Sequence, residues 1–316
     1  MFMLTIKSRL LLPLSLLITG LLASAPAASQ TVTIGTNQPG TLFYSTGVGL
    51  SETLENQGIN ARVQPYAGSG PLMALVNQGE LDFAVVNVFE VSRALDGEVP
   101  FNSEHPNLRV VAGLFESQVG FLVDDDSDIQ ELSDIAGKRV AAGYSSAPII
   151  ELMRQAIVAN AGLSDSDITT VSVPNTPRGG ELLSSGRVDV AFLSAGSGSV
   201  EELEASMGGV RFLSLYDDDA AVEATQQIMP QGYPAPMDRE SLPAGIAADT
   251  NLLTYAVVLV AHRDFDPAAI ESVLQAMEEG SEELGNAVAN FRGIDRERMR
   301  GVPNIPYHDA ALNYFD

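Results

Sequence analysis

The sequence predicts an α/β protein in two lobes, each a mostly parallel sheet flanked by helices. Three observations carry that prediction. Short apolar strands alternate with helical stretches along almost the whole chain, the pattern of successive βαβ units. The chain has 316 residues, long for one hydrophobic core. One phrase occurs twice, as LVNQGELDFAVVN (75–87) and LLSSGRVDVAFLS (182–194), and it aligns Gly79 with Gly186 and Asp82 with Asp189. In both copies a glycine closes a helix in the left-handed conformation, and an aspartate opens a buried strand at a tight turn.

In chain order, TVTIGT (31–36) reads as a strand and Tyr44 to Asn56 as a helix ending near Gly58. NARVQPY is a strand, GPLMALVNQGE a helix, LDFAVVN a strand, and NLRVVAGLF and VGFLVD are two further strands. A second series starts near Asp124: a short helix, a turn at Gly137, and a strand through KRVAAGY. It continues with the helix APIIELMRQAIVANAG, the strand DITTVSV, the helix PRGGELLSSGR, the strand VDVAFL, the helix GSVEELEAS and the strand VRFLSL. Residues 229–250, with Pro230, Pro234, Pro236 and Pro243, read as a long irregular stretch, a place where function often resides. NLLTYAVVLVAH is a strongly apolar strand, and helices fill the remainder.

The first residues are of another kind. Lys7 and Arg9 precede an apolar run from Leu10 to Leu22, and Ala25 and Ala27 stand at the −3 and −1 positions of a cut after Ala27. That is the layout of a cleaved secretory signal peptide, expected over residues 1–27, and a retained membrane anchor is the alternative. No cysteine follows, so a lipid anchor on cysteine, disulfides and thiolate chemistry are all excluded. The remaining chain is expected to be soluble and periplasmic.

The balance of charge is strongly acidic, 17 basic against 41 acidic residues, net −24. Loss of the leader would remove Lys7 and Arg9 and leave −26, with Lys138 the one lysine. Nucleic acid is therefore a poor partner. So large a self-repulsion suits a saline setting, where it is screened.

No catalytic or metal signature stands out. His105, His262 and His308 are scattered, and the acidic runs 124–128 and 217–219 lack the glycine and distal glutamate of a calcium loop. Gly-x-Ser-x-Gly, Gly-x-Gly-x-x-Gly and Gly-Lys-Ser/Thr are all absent. No metal and no cofactor is expected. A hydrolase built from a distant serine with His308 or His262 is the competing enzymatic reading.

What remains is a set of small polar loops between strands and helices: Asn37–Thr41, Gly68–Gly70, Tyr144–Ala147 and Ala195–Gly198. Backbone N–H groups at helix starts, with hydroxyls beside them, suit a carboxylate, although serine and glycine also cap helices without any ligand. The four loops can converge only if the halves face each other across a cleft. Arg178, heading a helix against its dipole, is a further candidate for a carboxylate.

The chain resembles the TAXI-type solute-binding subunits of TRAP transporters. The segments concerned are IGTNQPGTLFY, YAGSGPLMALVNQGELDFAVVN, LSDIAGKRVAAGYSSAP, GRVDVAFLSAG, LPAGIAADTNLLTYAVVLVAH and NIPYHDAALNYF, in order over about residues 31–315. The resemblance implies a two-lobed periplasmic binding protein of the type II-like class, with the ligand in the interlobe cleft. It divides the chain into a first lobe over 28–118, a second over 119–250 and a return to the first over 251–316. It implies capture of a small organic anion (glutamate-like, a dicarboxylate or an oxo acid) and delivery to membrane permease subunits driven by an ion gradient, with no enzymatic step. The ligand-binding residues it implies are Asn37, Phe43 and Tyr44 beside Thr41; Gly68 and Ser69; Asn87; Tyr144, Ser145, Ser146 and Ala147; and Ala195 and Gly196. Asn87 stands where the family usually has glutamine, and YSSAP where it has Gly-Ser-Gly-Thr. A binding protein for an ABC importer or a sensor is the alternative.

Overall fold

Strand β1 (Val32–Thr36) and strand β3 (Phe83–Asn87) are buried along their whole lengths, which is what a strand covered on both faces requires. Between them run α1 (Leu42–Asn56), β2 (Ala61–Pro65) and α2 (Ser69–Gln78). Both β2 and β3 pair with β1 in parallel, and α3 (Val88–Asp96) leaves β3 without an intervening loop. Close packing of helix on sheet is visible at Gly35, where a Cβ would lie 2.5 Å from side-chain carbons of Leu72 and Leu81. The computed structural model describes residues 31–39, 41–145, 148–237 and 242–316. The expected leader lies outside these residues, as do the candidate site residues Ser146 and Ala147.

Strand β4 (Leu108–Asp124) follows, and then β5 (Arg139–Ala142), α4 (Pro148–Asn160), β6 (Thr169–Ser172) and α5 (Thr176–Ser184). The chain continues through β7 (Ala191–Ser194), α6 (Gly198–Met207), β8 (Val210–Phe212), α7 (Asp219–Ile228) and β9 (Tyr233–Ala235). It ends with β10 (Leu252–His262), α8 (Pro267–Glu279), α9 (Ser281–Ala287), α10 (Arg296–Arg300) and α11 (Asp309–Phe315).

The two halves share two long strands. β4 and β10 pair antiparallel along most of their length. At one end β10 also pairs with β3, completing the order β2-β1-β3-β10-β4. At the other end β4 pairs with β7 and β8, and β10 with β9. β5 and β6 form a parallel pair, joined to β7 by a bridge between Val140 and Val190. Each lobe is thus an α/β layer around a sheet, and β4 and β10 run from one to the other. Register shifts between Val257 and Val258 and between Leu259 and Val260 bend β10 beside the crossing.

The repeated phrase has the same structural meaning in both halves. Gly79 and Gly186 both adopt positive φ, +72° and +67°. Asp82 Oδ2 accepts from the backbone N–H of Thr33, at the start of β1, at 2.8 Å. Asp189 Oδ2 accepts from the N–H of Arg139, at the start of β5, also at 2.8 Å. In each case the aspartate ties its own strand to a parallel neighbour.

Two expectations change. NLRVVAGLF and VGFLVD are one strand of 17 residues, since the expected break at Glu116–Gln118 is the crossing between lobes. The irregular stretch 229–250 contributes β9, three residues long, to the shared sheet.

Candidate functional site

The C-terminal ends of β1 and β3 lie side by side, because Ile34 pairs with Phe83 and Gly35 with Ala84. In an open α/β sheet this edge is where ligands sit. Asn37 follows β1, and its Oδ1 is buried with no hydrogen-bond partner among the described residues. Thr41 caps α1, its hydroxyl accepting from Tyr44 N–H at 3.2 Å. Phe43 packs, half-buried, against the core. Gly68 precedes α2 in an extended conformation, and nothing lies within 4 Å of where its Cβ would be.

Ser69 and Asn87 do converge, on a residue the sequence reading passed over. The hydroxyl of Ser69 donates to Glu90 Oε1. Asn87 Nδ2 donates to Glu90 Oε2 at 2.7 Å, while its Oδ1 accepts from Glu90 N–H at 2.8 Å and so caps α3. Glu90 is only 6 % exposed. Burial raises its carboxyl from 4.5 to about 7, against the opposing pull of the Ser69 and Asn87 hydrogen bonds. Among the described residues no lysine or arginine is paired with it.

The crossing strands cover this group. Ser117 of β4 pairs with Tyr255 of β10, and both are buried. The Tyr255 ring lies 5.1 Å from Phe89, and its hydroxyl stands beside Ser117. Burial, with the Glu90 charge adding, pushes the Tyr255 phenol up to about 12. Neighbouring side chains of the same strands make a second polar group. Tyr233 of β9 donates its hydroxyl to Glu116, and Gln118 Nε2 donates to Thr254 Oγ1 at 3.0 Å and to the carbonyl of Ala235 at 3.2 Å.

The second half approaches through β7. Ala195 N–H donates to the carbonyl of Gln118 at 3.0 Å, so the Ala195–Gly198 loop is seated on the crossing. Gly196 takes φ +69°, and Ser197 Oγ, at the start of α6, is buried without a partner. The loop after β5 is held from behind. Gly143 N–H donates to Glu151 Oε2 at 2.6 Å, and Glu151 Oε1 accepts from the fully buried Arg154, which also reaches Asp165 at 2.7 Å. Ser145 is exposed.

Two sequence candidates are otherwise engaged. Tyr144 is wholly buried at φ +23°, with its hydroxyl donated to the Ala141 carbonyl at 3.1 Å and its ring against Phe192. It packs the core of this half and presents no free polar group; burial raises its phenol well above the ordinary value. Arg178, half-exposed, is paired with Glu181 one turn along its own helix.

The histidines give a hydrolase no support. Nδ1 of His262 accepts from Asp264 N–H at 3.0 Å and Nδ1 of His308 from Ala310 N–H at 3.2 Å, and among the described residues neither is hydrogen-bonded to a serine. No cluster able to hold a metal ion occurs among the described residues. Glu90 was legible only as the third residue after Asn87, a helix-capping spacing. The Tyr255 ring near it comes from far along the chain.

Two α/β halves joined by two shared strands are the fold of the two-lobed periplasmic binding proteins. The structure is similar to the putative sulfonate ABC transporter periplasmic sulfonate-binding protein SsuA of Methylobacillus flagellatus KT, at 18% identity and TM-score 0.52, over 83% of this chain and 72% of that one. It is also similar to XAC2383 of Xanthomonas citri, bound to chloride ion, at 12% identity and TM-score 0.51, over 90% and 94%. The aliphatic sulphonate binding protein SsuA of Escherichia coli follows at 14% identity and TM-score 0.49, over 84% and 80%. No curated protein matches the sequence. The profile of the NMT1-like family matches residues 34–316, and the chain belongs to that family.

Proposed function

We propose that this chain is an extracytoplasmic solute-binding protein, exported by its leader, that captures a small organic acid between its lobes and hands it to a membrane importer without altering it. What supports this is that the two shared strands adjoin strand ends of both halves, β3 through its pairing with β10 and the loop after β7 through the Ala195 bond to Gln118. Bending of β4 near Glu116–Gln118 and of β10 near Leu253–Ala256 would open and close the lobes, taken as 28–118 with 251–316 and as 119–250. A solute touching both lobes stabilises the closed form by its differential affinity. Asn37, Ser69 and Asn87 would contact it from one side, and Ser145, Ser146, Ala147, Ala195 and Gly196 from the other.

The importer is the second part of the proposal. One of the two named structural neighbours above TM-score 0.5 is described as a sulfonate ABC transporter protein, which favours an ATP-driven partner. The order of motifs shared with TAXI-type proteins favours a TRAP permease driven by an ion gradient. Uptake into vesicles carrying the cognate permease separates them: hydrolysable ATP alone sustains the first, and an imposed sodium or proton gradient alone sustains the second.

Binding is tested by a thermal-shift screen of the purified protein, at moderate and high salt, against dicarboxylates, oxo acids, amino acids, sulfonates and sugars. A solute at 100 times its dissociation constant adds about 2.7 kcal/mol, plainly visible as a raised melting temperature. A shift confined to one chemical class supports the reading. No shift, together with no solute released on denaturing the protein, would refute it.

A further inference from the structure

The floor of the site is rich in acceptors. Glu90 is a buried carboxyl whose described partners are neutral, a serine hydroxyl and an asparagine amide. Each carboxylate oxygen accepts one described hydrogen bond and keeps a further lone pair. Asn37 follows β1 next to the strand that ends at Asn87, and its buried Oδ1 has no donor among the described residues. Among the described residues every lysine or arginine ion pair is made elsewhere, Arg178 with Glu181 included. A buried carboxylate with no cation opposite is costly, and so is a buried acceptor left unmet. Both costs are relieved by one chemistry, a positively charged N–H donor.

We propose that Glu90 is the recognition point for a protonated amino group on the solute, so that the protein selects amino-bearing acids over their deaminated counterparts. The inference rests on the solute-binding reading above and narrows its substrate class. Ser69 and Asn87 are positioning residues: their hydrogen bonds fix both oxygens of Glu90 and leave the remaining lone pairs to the ammonium. Two bonds to Glu90 would use two of the three donors of a primary ammonium. A dicarboxylate or oxo acid brings no donor to these atoms and sets a like charge against the carboxylate.

The test is calorimetric titration at pH 8 with two matched pairs, glutamate against glutarate and 2-aminoethanesulfonate against ethanesulfonate, on the wild type and on Glu90→Gln. Gln preserves the shape, accepting from Asn87 and donating to Ser69, so the variant should fold. The expected result is a preference of at least tenfold for the amino member of whichever pair binds, falling to within threefold in Glu90→Gln. A merely structural role would weaken both members alike and leave their ratio unchanged. Equal or tighter binding of the deaminated member, or a preference that survives in Glu90→Gln, overturns the inference and leaves the binding reading intact. If neither pair binds, the solute released from the purified protein decides. A basic nitrogen on it, with its loss from Glu90→Gln, supports the inference. A released solute without one overturns the inference alone. No released solute, and no shift across the broad screen, overturns both.

Discussion

Replacing Glu90 with glutamine should make the ligand-free protein more stable at pH 8 and nearly leave it alone at pH 5. The folded protein raises this carboxyl from 4.5 to about 7, so between those values the folded state holds a proton that the unfolded chain has lost. The stability linked to that proton is fully present below the unfolded value and is lost as pH rises through the folded one. Each unit is worth about 1.4 kcal/mol, so the ionised buried carboxylate costs roughly 3 kcal/mol at pH 8 and under about 1 kcal/mol at pH 5. Glutamine carries no charge to desolvate and keeps both hydrogen bonds. The difference in unfolding free energy between variant and wild type should therefore grow by about 2–3 kcal/mol from pH 5 to pH 8. Urea unfolding of both proteins at the two pH values measures it, and other titrating groups cancel in the difference. Parallel curves, with a change under about 0.5 kcal/mol, would refute the reasoning about burial.

Three further predictions concern the frame. Gly113 of β4 lies against α10, where a Cβ would sit 2.7 Å from Val302 and 2.8 Å from the Arg298 carbonyl; Gly113→Val should cost at least about 1–3 kcal/mol, read by thermal unfolding. Arg154→Met leaves the partly exposed Glu151 and Asp165 without their shared guanidinium and should cost about 1.5–3 kcal/mol, with faster hydrogen exchange at the Gly143 amide that Glu151 holds. A net charge of −24 should make the melting temperature climb with sodium chloride between 0.1 and 1 M as self-repulsion is screened, and a flat response would count against the saline reading.

The frame was legible because its signals are local. Apolar runs such as FAVVN and AFLS mark buried strands, and the Gly–Asp phrase marks two equivalent strand starts whose aspartates make the same backbone bond. The length of β4 was not legible, since the polar Glu116-Ser117-Gln118 resembles a turn until β10 is seen pairing across it. The site divided in the same way. Ser69 and Asn87 follow from strand-loop-helix punctuation. Glu90 does not, because its surroundings are assembled from α2, β3 and β10. Tyr144 shows the converse: a polar loop residue by sequence, it is drawn into the core by a positive φ that turns its side chain inward.

If Glu90 receives an ammonium, its raised titration point must reappear in binding. The carboxyl is half ionised near pH 7 in the free protein, and the amino-bearing solute engages the ionised form. One unit lower about a tenth of the molecules are competent, so the apparent affinity should fall about tenfold from pH 8 to pH 6. Binding at pH 6 should also release about one proton, and binding at pH 8 close to none, which calorimetry in two buffers of different ionisation enthalpy counts. Among the described residues its partners are Ser69 and Asn87, neither of which titrates, and the Tyr255 phenol beside it is pushed up to about 12. The three histidines are hydrogen-bonded elsewhere, at Ser103, Asp264 and Ala310. An amino-bearing solute that binds equally well at pH 6 and pH 8, with no proton released, would place its nitrogen away from Glu90 whatever its affinity.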